Sequence, residues 1–408
     1  MLRSLFSGIS GLRAHQTMLD VTGNNIANVN TAGFKSSQVQ FQDTLSQVLT
    51  NAGAAQSGVG GTNPAQVGLG VKVAGITTNF QQGASQLTNR QTDMMISGDG
   101  FFVVEKGGEQ LYSRAGAFSF DALGQLVTPD GALVQGWAAD GTGNIDLNSP
   151  LTALRLPVST LMGAQATSGS AFEGNLPYDA AVGTTLNRQV DVFDGAGAPH
   201  SMNMAFTLSA VATATTPATW NISATVAGTT STQSGTISFN TDGTLNTATF
   251  APLPADATVG TSAITVDLAK LTSFAGLETI AAASQDGRAA GGLQSFAINS
   301  DGTLLGSFSN GLKQAIGRVA LGNFANPSGL EKSGSSLYRV TVNSGDAQVG
   351  AAGNGGRGSL SGGSLEMSNV DLSAEFTNLI VAQRGFQANS RVITTSDEVL
   401  QELVNLKR

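Results

Sequence analysis

Apolar residues at the two ends of the chain recur on alternating steps of three and four, whereas those in the middle alternate with polar neighbours. At the start, Leu2, Leu5, Ile9, Leu12, Leu19 and Ile26 keep the helical period, with Gln16 and Gly23 in the two gaps. At the other end, Leu372, Phe376, Leu379, Phe386, Ile393, Leu400 and Val404 repeat the pattern around Gln383, Ser390 and Asp397. The spacing predicts two long terminal helices, roughly 40 and 55 Å at 1.5 Å per residue. About seven large side chains per stripe contribute about 1.5–3 kcal/mol each on burial, against roughly 1–2 kcal/mol of backbone entropy for every residue ordered. Neither helix is expected to hold alone. Two readings follow: an intramolecular coiled coil that clamps the termini, or ends that are disordered in the monomer and fold on neighbouring subunits.

Directly behind the first stripe comes "NNIANVNTAGFKSS", Asn24 to Ser37. Asn24 and Asn28 lie one turn apart, so they either set register between subunits or belong to a fraying helix end closed by the turn at Gly33.

Between the ends the period shortens to two. "FFVVEKGGEQLYSRAG", "FSFDALGQLVTPDGALVQGW" and "QSFAINSDGTLLGSF" are β-branched or aromatic runs joined by Gly-Gly, Pro-Asp-Gly and Asp-Gly, which predict hairpins. A turn echo links "FNTDGTL" at Phe239, "INSDGTL" at Ile298 and the looser "FDALGQL" at Phe120. The Thr-, Ala- and Ser-dense stretch 147–283 reads as an inserted outer β domain. Gly-rich segments within 31–70 and 350–369 read as connectors, and 71–146 with 284–349 as an inner β domain in two halves. With the terminal helical domain at 1–30 and 370–408, the expected fold is mainly β with paired terminal α-helices, nested so that each excursion returns to where it left.

Composition narrows the function classes. The 408 residues contain 52 glycines, only 12% charged residues and no cysteine, so disulfides, thiolate-ligated zinc and cysteine nucleophiles are excluded. A net charge of -8 with no basic cluster argues against nucleic acid. No run of about eighteen apolar residues predicts a membrane span. Ser7, Gly8, Ser10, Gly11 and Arg13 interrupt the opening stretch, so it is not expected to act as a Sec signal, and if the protein leaves the cytoplasm the expected route uses no cleaved leader.

Chemistry is sparse. Two histidines, His15 and His200, leave little material for a metal site or a triad. Gly353, Gly355 and Gly358 spell G-x-G-x-x-G with no helix-forming pattern behind them, and Asp191 with Asp194 suits a hydrated loop. No cofactor and no catalytic residue are expected.

Three blocks carry a resemblance: "SLFSGISGLRAHQTMLDVTGNNIANVNTAGFKSS", "TDMMISGDGFFVV" and "GSLEMSNVDLSAEFTNLIVAQRGFQANSRVITTSDEVLQELVNL". Together with "SFSNGLKQAIGRVALGNFANPSGL" they cover about half the chain, and they resemble the bacterial flagellar rod and hook family. The extra 147–283 domain makes it more similar to hook proteins than to rod subunits, which are generally shorter; a distal rod subunit is the alternative. The resemblance implies a non-enzymatic subunit of a helical tube that couples motor to filament, with its terminal helices lining the channel. It also implies partners: copies of the chain, the distal rod protein, the hook-cap protein, the hook–filament junction protein and the flagellar type III export gate. Phe41 and Leu45, in "FQDTL", match the family's export-gate pattern of Phe-x-x-x-Leu. The implied location is the basal body and hook, outside the cell after type III export.

Overall fold

The computed structural model describes residues 2–54, 60–156, 161–211, 213, 217–229, 232–256 and 260–405, without the side chains of Leu2, Arg3, Leu161 and Leu403. The chain divides into two compact units, one of Met1–Leu156, Ala297–Leu305 and Ala315–Arg408, the other of Pro157–Phe296 and Gly306–Gln314.

In the first unit, helix α1 spans Leu2–Ala27 and α2 spans Leu372–Asn405, as the stripes predict, and they pack on each other. Asp371 starts α2: its Oδ1 accepts from Ser373 N at 2.8 Å and Ala374 N at 3.2 Å, satisfying amides that the helix itself leaves free. Strand β1 (Ser37–Asp43) runs antiparallel to β4 (Val71–Thr78), and between them β2 (Ser46–Thr50) and β3 (Ala65–Gly68) form a ribbon. The segments read as connectors therefore carry strands. Further on, Ser359–Gly362 pairs with Met94–Ser97, and Ser364–Glu366 pairs with Ser85–Leu87. Glycine content suggested slack chain, but backbone pairing to distant segments satisfies these amides.

The body of this unit grows from the Gly-Gly hairpin. Phe102–Lys106 pairs with Glu109–Ser113 across Gly107 and Gly108, whose φ of 63° and 83° are the left-handed values a two-residue turn of this hand needs. "FFVV" is buried throughout because both faces are covered. One face joins Phe101, Val103, Tyr112, Trp137, Phe324 and Tyr338; on the other, Phe102 meets Phe118 edge to face at 5.1 Å.

The second unit is a two-sheet core. Thr185–Phe193, Pro199–Ala210, Ala218–Val226, Thr232–Phe239 and Leu245–Thr249 form an antiparallel meander. In the other sheet, Gly169–Asn175 lies between Thr265–Thr272 and Ala281–Gln285. Phe172, Leu268, Leu271 and Ile280 from the smaller sheet share one core with Met204, Phe206, Trp220, Ile237 and Phe239 from the meander. The expected outer span of 147–283 and this unit overlap without coinciding: 147–156 falls in the first unit, and 284–296 with 306–314 in the second. The pairing of Ala281–Gln285 and the bridge between Gln165 and Arg288 draw the later residues in.

The echoed turn recurs in both units. Asp121, Asn240 and Asn299 each donate from N to the carbonyl four residues on, and Gly124, Gly243 and Gly302 donate back to them. Their φ values of 74°, 80° and 84° explain the glycine in every copy.

Candidate functional site

The helix pair is antiparallel, as three contacts along it establish. A Cβ on Gly8 would lie 3.4 Å from Ile393, one on Gly11 would lie 2.6 Å from the Asn389 amide, and one on Gly385 would lie 2.5 Å from the His15 ring. Side chains absent from these glycines are what lets the two backbones approach. The fully buried helical positions are small or polar: Gly8, Gly11, Ala14, Thr22, Asn25 and Ala382. The large stripe residues flank this contact instead of filling it. Leu5, Ile9, Leu12, Leu19, Ile26, Leu379, Phe386, Ile393 and Leu400 are half-buried. Leu372, Phe376 and Val404 remain 39%, 50% and 66% exposed, and the Leu2 side chain lies outside the described residues. Phe6, Ile380, Val381 and Val399 add further apolar surface that the chain leaves open.

The asparagine tail ends α1 from inside. Asn28 N bonds Asn24 O at 3.2 Å, and its Nδ2 bonds the same oxygen at 2.9 Å, closing the last turn. Asn25 does more. Its Nδ2 donates to Ser37 O at 2.8 Å and Glu375 Oε1 at 2.9 Å, while its Oδ1 accepts from Ser37 N at 3.0 Å, so one buried amide ties α1 to β1 and α2. Gly33 then turns at φ 69° with its N donating to Glu366 O at 2.7 Å; a Cβ there would fall 2.5 Å from Ala115 N.

Beneath the helices lies a buried charge cluster. Lys35 Nζ sits 2.6 Å from Glu366 Oε1 and 2.7 Å from Gln81 O, and Gly83 N donates to the same Oε1 at 2.8 Å. Arg114 Nη1 approaches Glu366 Oε2 at 3.5 Å, while its Nη2 donates to Gly98 O at 2.8 Å. Its guanidinium also stands over the Phe101 ring, 5.5 Å from the centroid. Burial pulls Lys35 below the ordinary lysine range, and the Glu366 carboxylate opposes that pull. Arg114 is lowered by burial too, again against Glu366. The cluster joins the segment behind α1, the segment before α2 and the β body through a single carboxylate.

No sequence signal pointed to this cluster. Glu366 sits on a strand where alternation places Leu365 and Glu366 on opposite faces, and apolar patterning favours Leu365 as the inward one. The reverse holds, because Lys35 and Arg114 supply the partners a buried carboxylate requires.

Of the remaining motif residues, Phe41 is 41% exposed on β1, with its ring 5.9 Å from His15, and Leu45 is 84% exposed just before β2. Asp194 Oδ1 caps a turn through Ala196 N and Ala198 N at 2.9 and 2.8 Å. Arg357 of the glycine triplet folds back onto Ala351 O at 3.0 Å. Among the described residues there is no cluster of metal-ligating side chains, and no helix is long and apolar enough to cross a membrane.

Four family models match in chain order. They are "Flagella basal body rod protein" over residues 5–35, "Flagellar hook protein FlgE/F/G D1 domain" over 95–161, "Flagellar basal body protein FlaE D2 domain" over 164–288, and "Flagellar basal body rod FlgEFG protein C-terminal" over 361–406. The chain is 39% identical to the flagellar hook protein FlgE of Borreliella burgdorferi over all of both chains. It is 37% identical to that of Salmonella typhimurium over 99% of this chain and all of the other. The flagellar basal-body rod protein FlgG of Bacillus subtilis is 35% identical, also over both whole chains, so length alone does not separate hook from rod. The crystal structure of Helicobacter pylori flagellar hook protein FlgE2 superposes with a TM-score of 0.55 at 14% identity, covering 67% of this chain and 98% of that one, a likeness of fold. With identities of 37–39% along essentially its whole length to proteins named for the hook, the chain belongs to the flagellar hook protein family.

Proposed function

We propose that this chain is the structural subunit of the flagellar hook, polymerising with copies of itself into a flexible helical tube that passes motor torque to the filament. The observation that carries the reading is the full-length identity to hook proteins of three organisms, joined to a helix pair that leaves Phe6, Phe376, Ile380, Val381 and Val404 exposed in the single chain. Exposed apolar surface of this extent marks an interaction face.

In this reading the stripe residues of α1 and α2 pack between subunits around the channel, and the two β units form the wall. The chain is nested as the sequence suggests: terminal helices, an inner β domain in two parts and an outer β domain. It catalyses no reaction. Its partners at the ends of the polymer are the distal rod protein, the hook-cap protein and the hook–filament junction protein. Export runs through the flagellar type III gate, and Phe41 and Leu45 are the residues the gate reads; their exposure supports that role.

Full-length likeness to a rod protein favours a second reading, a distal rod subunit. Deleting the gene and imaging purified basal bodies separates the two. A completed rod with nothing beyond it is the expected result; a truncated rod would establish the alternative.

A further inference from the structure

Residues 33–97 take many of their partners from one late stretch of the chain. Gly33 N donates to Glu366 O at 2.7 Å, Gly83 N to Glu366 Oε1 at 2.8 Å, and Ser36 N to Asn369 Oδ1 at 2.9 Å. Asn369 Nδ2 returns bonds to Asn79 O and Gln81 O at 2.8 and 3.0 Å. Ser85–Leu87 and Met94–Ser97 each lie in a two-stranded sheet, whose other strand is Ser364–Glu366 or Ser359–Gly362. A pair of strands is marginal in water even when complete, so neither early strand holds its place before the late one arrives. Lys35 sets the same condition more sharply. Its ammonium is closed off from solvent against Glu366, and burying it without that carboxylate strands a charge.

The second unit is under no such constraint. In its meander Phe206 stands opposite Ile222, and Trp220 opposite Ile237, so each strand pairs with the next one made. Short loops close at small entropic cost. The 283 positions between Gly83 and Glu366 must instead be brought together before any of their contacts contributes.

We propose that residues 359–369 are a folding latch: residues 33–97 stay open while the latch is missing and close when it arrives. Chains grow at about 5–20 residues per second, so the separation of Gly83 from Glu366 leaves the early segment open for roughly 15–55 s of synthesis. Phe41 and Leu45 lie inside that segment. On the reading that the export gate recognises these two residues, on which this consequence rests, the gate meets them as open chain. Glu366 is the catch, because it serves Gly33, Lys35 and Gly83 at once.

The test follows refolding of the full-length chain from urea by pulsed hydrogen exchange. Amides of Gly33, Gly83 and Met94–Ser97 should gain protection together with those of Ser359–Glu366, in a phase about tenfold or more slower than that of Ala218–Val226. Protection of Met94–Ser97 ahead of Ser359–Glu366, or a single phase shared with the meander, would overturn the latch. Glu366→Gln gives a second measurement: it should slow or abolish the late phase and leave the meander phase as it was. A late phase of unchanged rate and amplitude in that variant counts against the latch. None of these readouts involves secretion, so early closure would remove the latch and leave the export reading standing. Normal secretion of a chain carrying Phe41→Ala and Leu45→Ala would do the reverse.

Discussion

Lys35 Nζ lies 2.6 Å from Glu366 Oε1, the two residues standing 331 positions apart in the chain and both side chains closed off from solvent. The pair is where the descending and returning arms of the chain meet the β body. Desolvating two charges costs several kcal/mol each, and the hydrogen bonds from Gly83 and Arg114 offset that cost only while every member is present.

Glu366→Gln should therefore destabilise the first unit by about 3–5 kcal/mol, since it strands two buried cations. Urea unfolding of the purified monomer measures this. Lys35→Met, which leaves Glu366 still facing Arg114, should cost less; an equal or larger loss would mean that Lys35, not the carboxylate, organises the cluster.

Gly11→Leu and Gly385→Leu each place a side chain where Asn389 or His15 already stands. Each should weaken the helix pair by about 1–3 kcal/mol, as forced overpacking does. Helical circular dichroism of assembled hooks should fall, and polymer yield with it. Gly23→Leu, at an open position on α1, is the control and should leave the packing of α1 on α2 unweakened.

Stability should decline on the alkaline side. Burial pushes the Tyr112 phenol up to about 12 and raises Tyr338 further still. A phenol whose pKa is raised by folding contributes stability that is fully present below the unfolded value near 10 and is lost as pH climbs through the folded value. Unfolding midpoints should therefore drop between about pH 10 and pH 12. Tyr112→Phe should flatten that drop; an unchanged slope would place the titration elsewhere.

Phe41→Ala with Leu45→Ala should reduce the amount of chain reaching the culture medium while leaving purified chain able to polymerise. Both side chains are substantially exposed, so their removal creates no cavity. Normal secretion by the double variant would remove these two residues from the export reading.

In dilute solution the full-length monomer should show fast amide exchange along both α1 and α2, because the small residues between them bury little apolar area. Protection comparable to the Phe101–Lys106 strand would mean the helices need no neighbours.

Much of the local structure could be read directly from the residues. The three-and-four spacing marked α1 and α2, Gly107 and Gly108 marked a hairpin, and the repeated Asp-Gly echo marked the same turn at Asn240 and Asn299. These signals are short in range: each depends on side chains or φ values within a few positions, so a stretch of sequence contains all the information needed.

Partner choice was not legible in this way. That glycines bring α1 and α2 together while leucines flank the contact, that the Gly-rich 359–366 stretch pairs with 85–97, and that two sheets close on Phe172, Phe206 and Trp220 all depend on segments far apart in the chain. The same holds for Glu366, a carboxylate that alternation alone would turn toward water. Local pattern determines which faces are apolar and where the chain turns. Only the packed structure decides which distant group stands opposite, because the cost of burying a charge or the room for a side chain depends on what the other segment supplies.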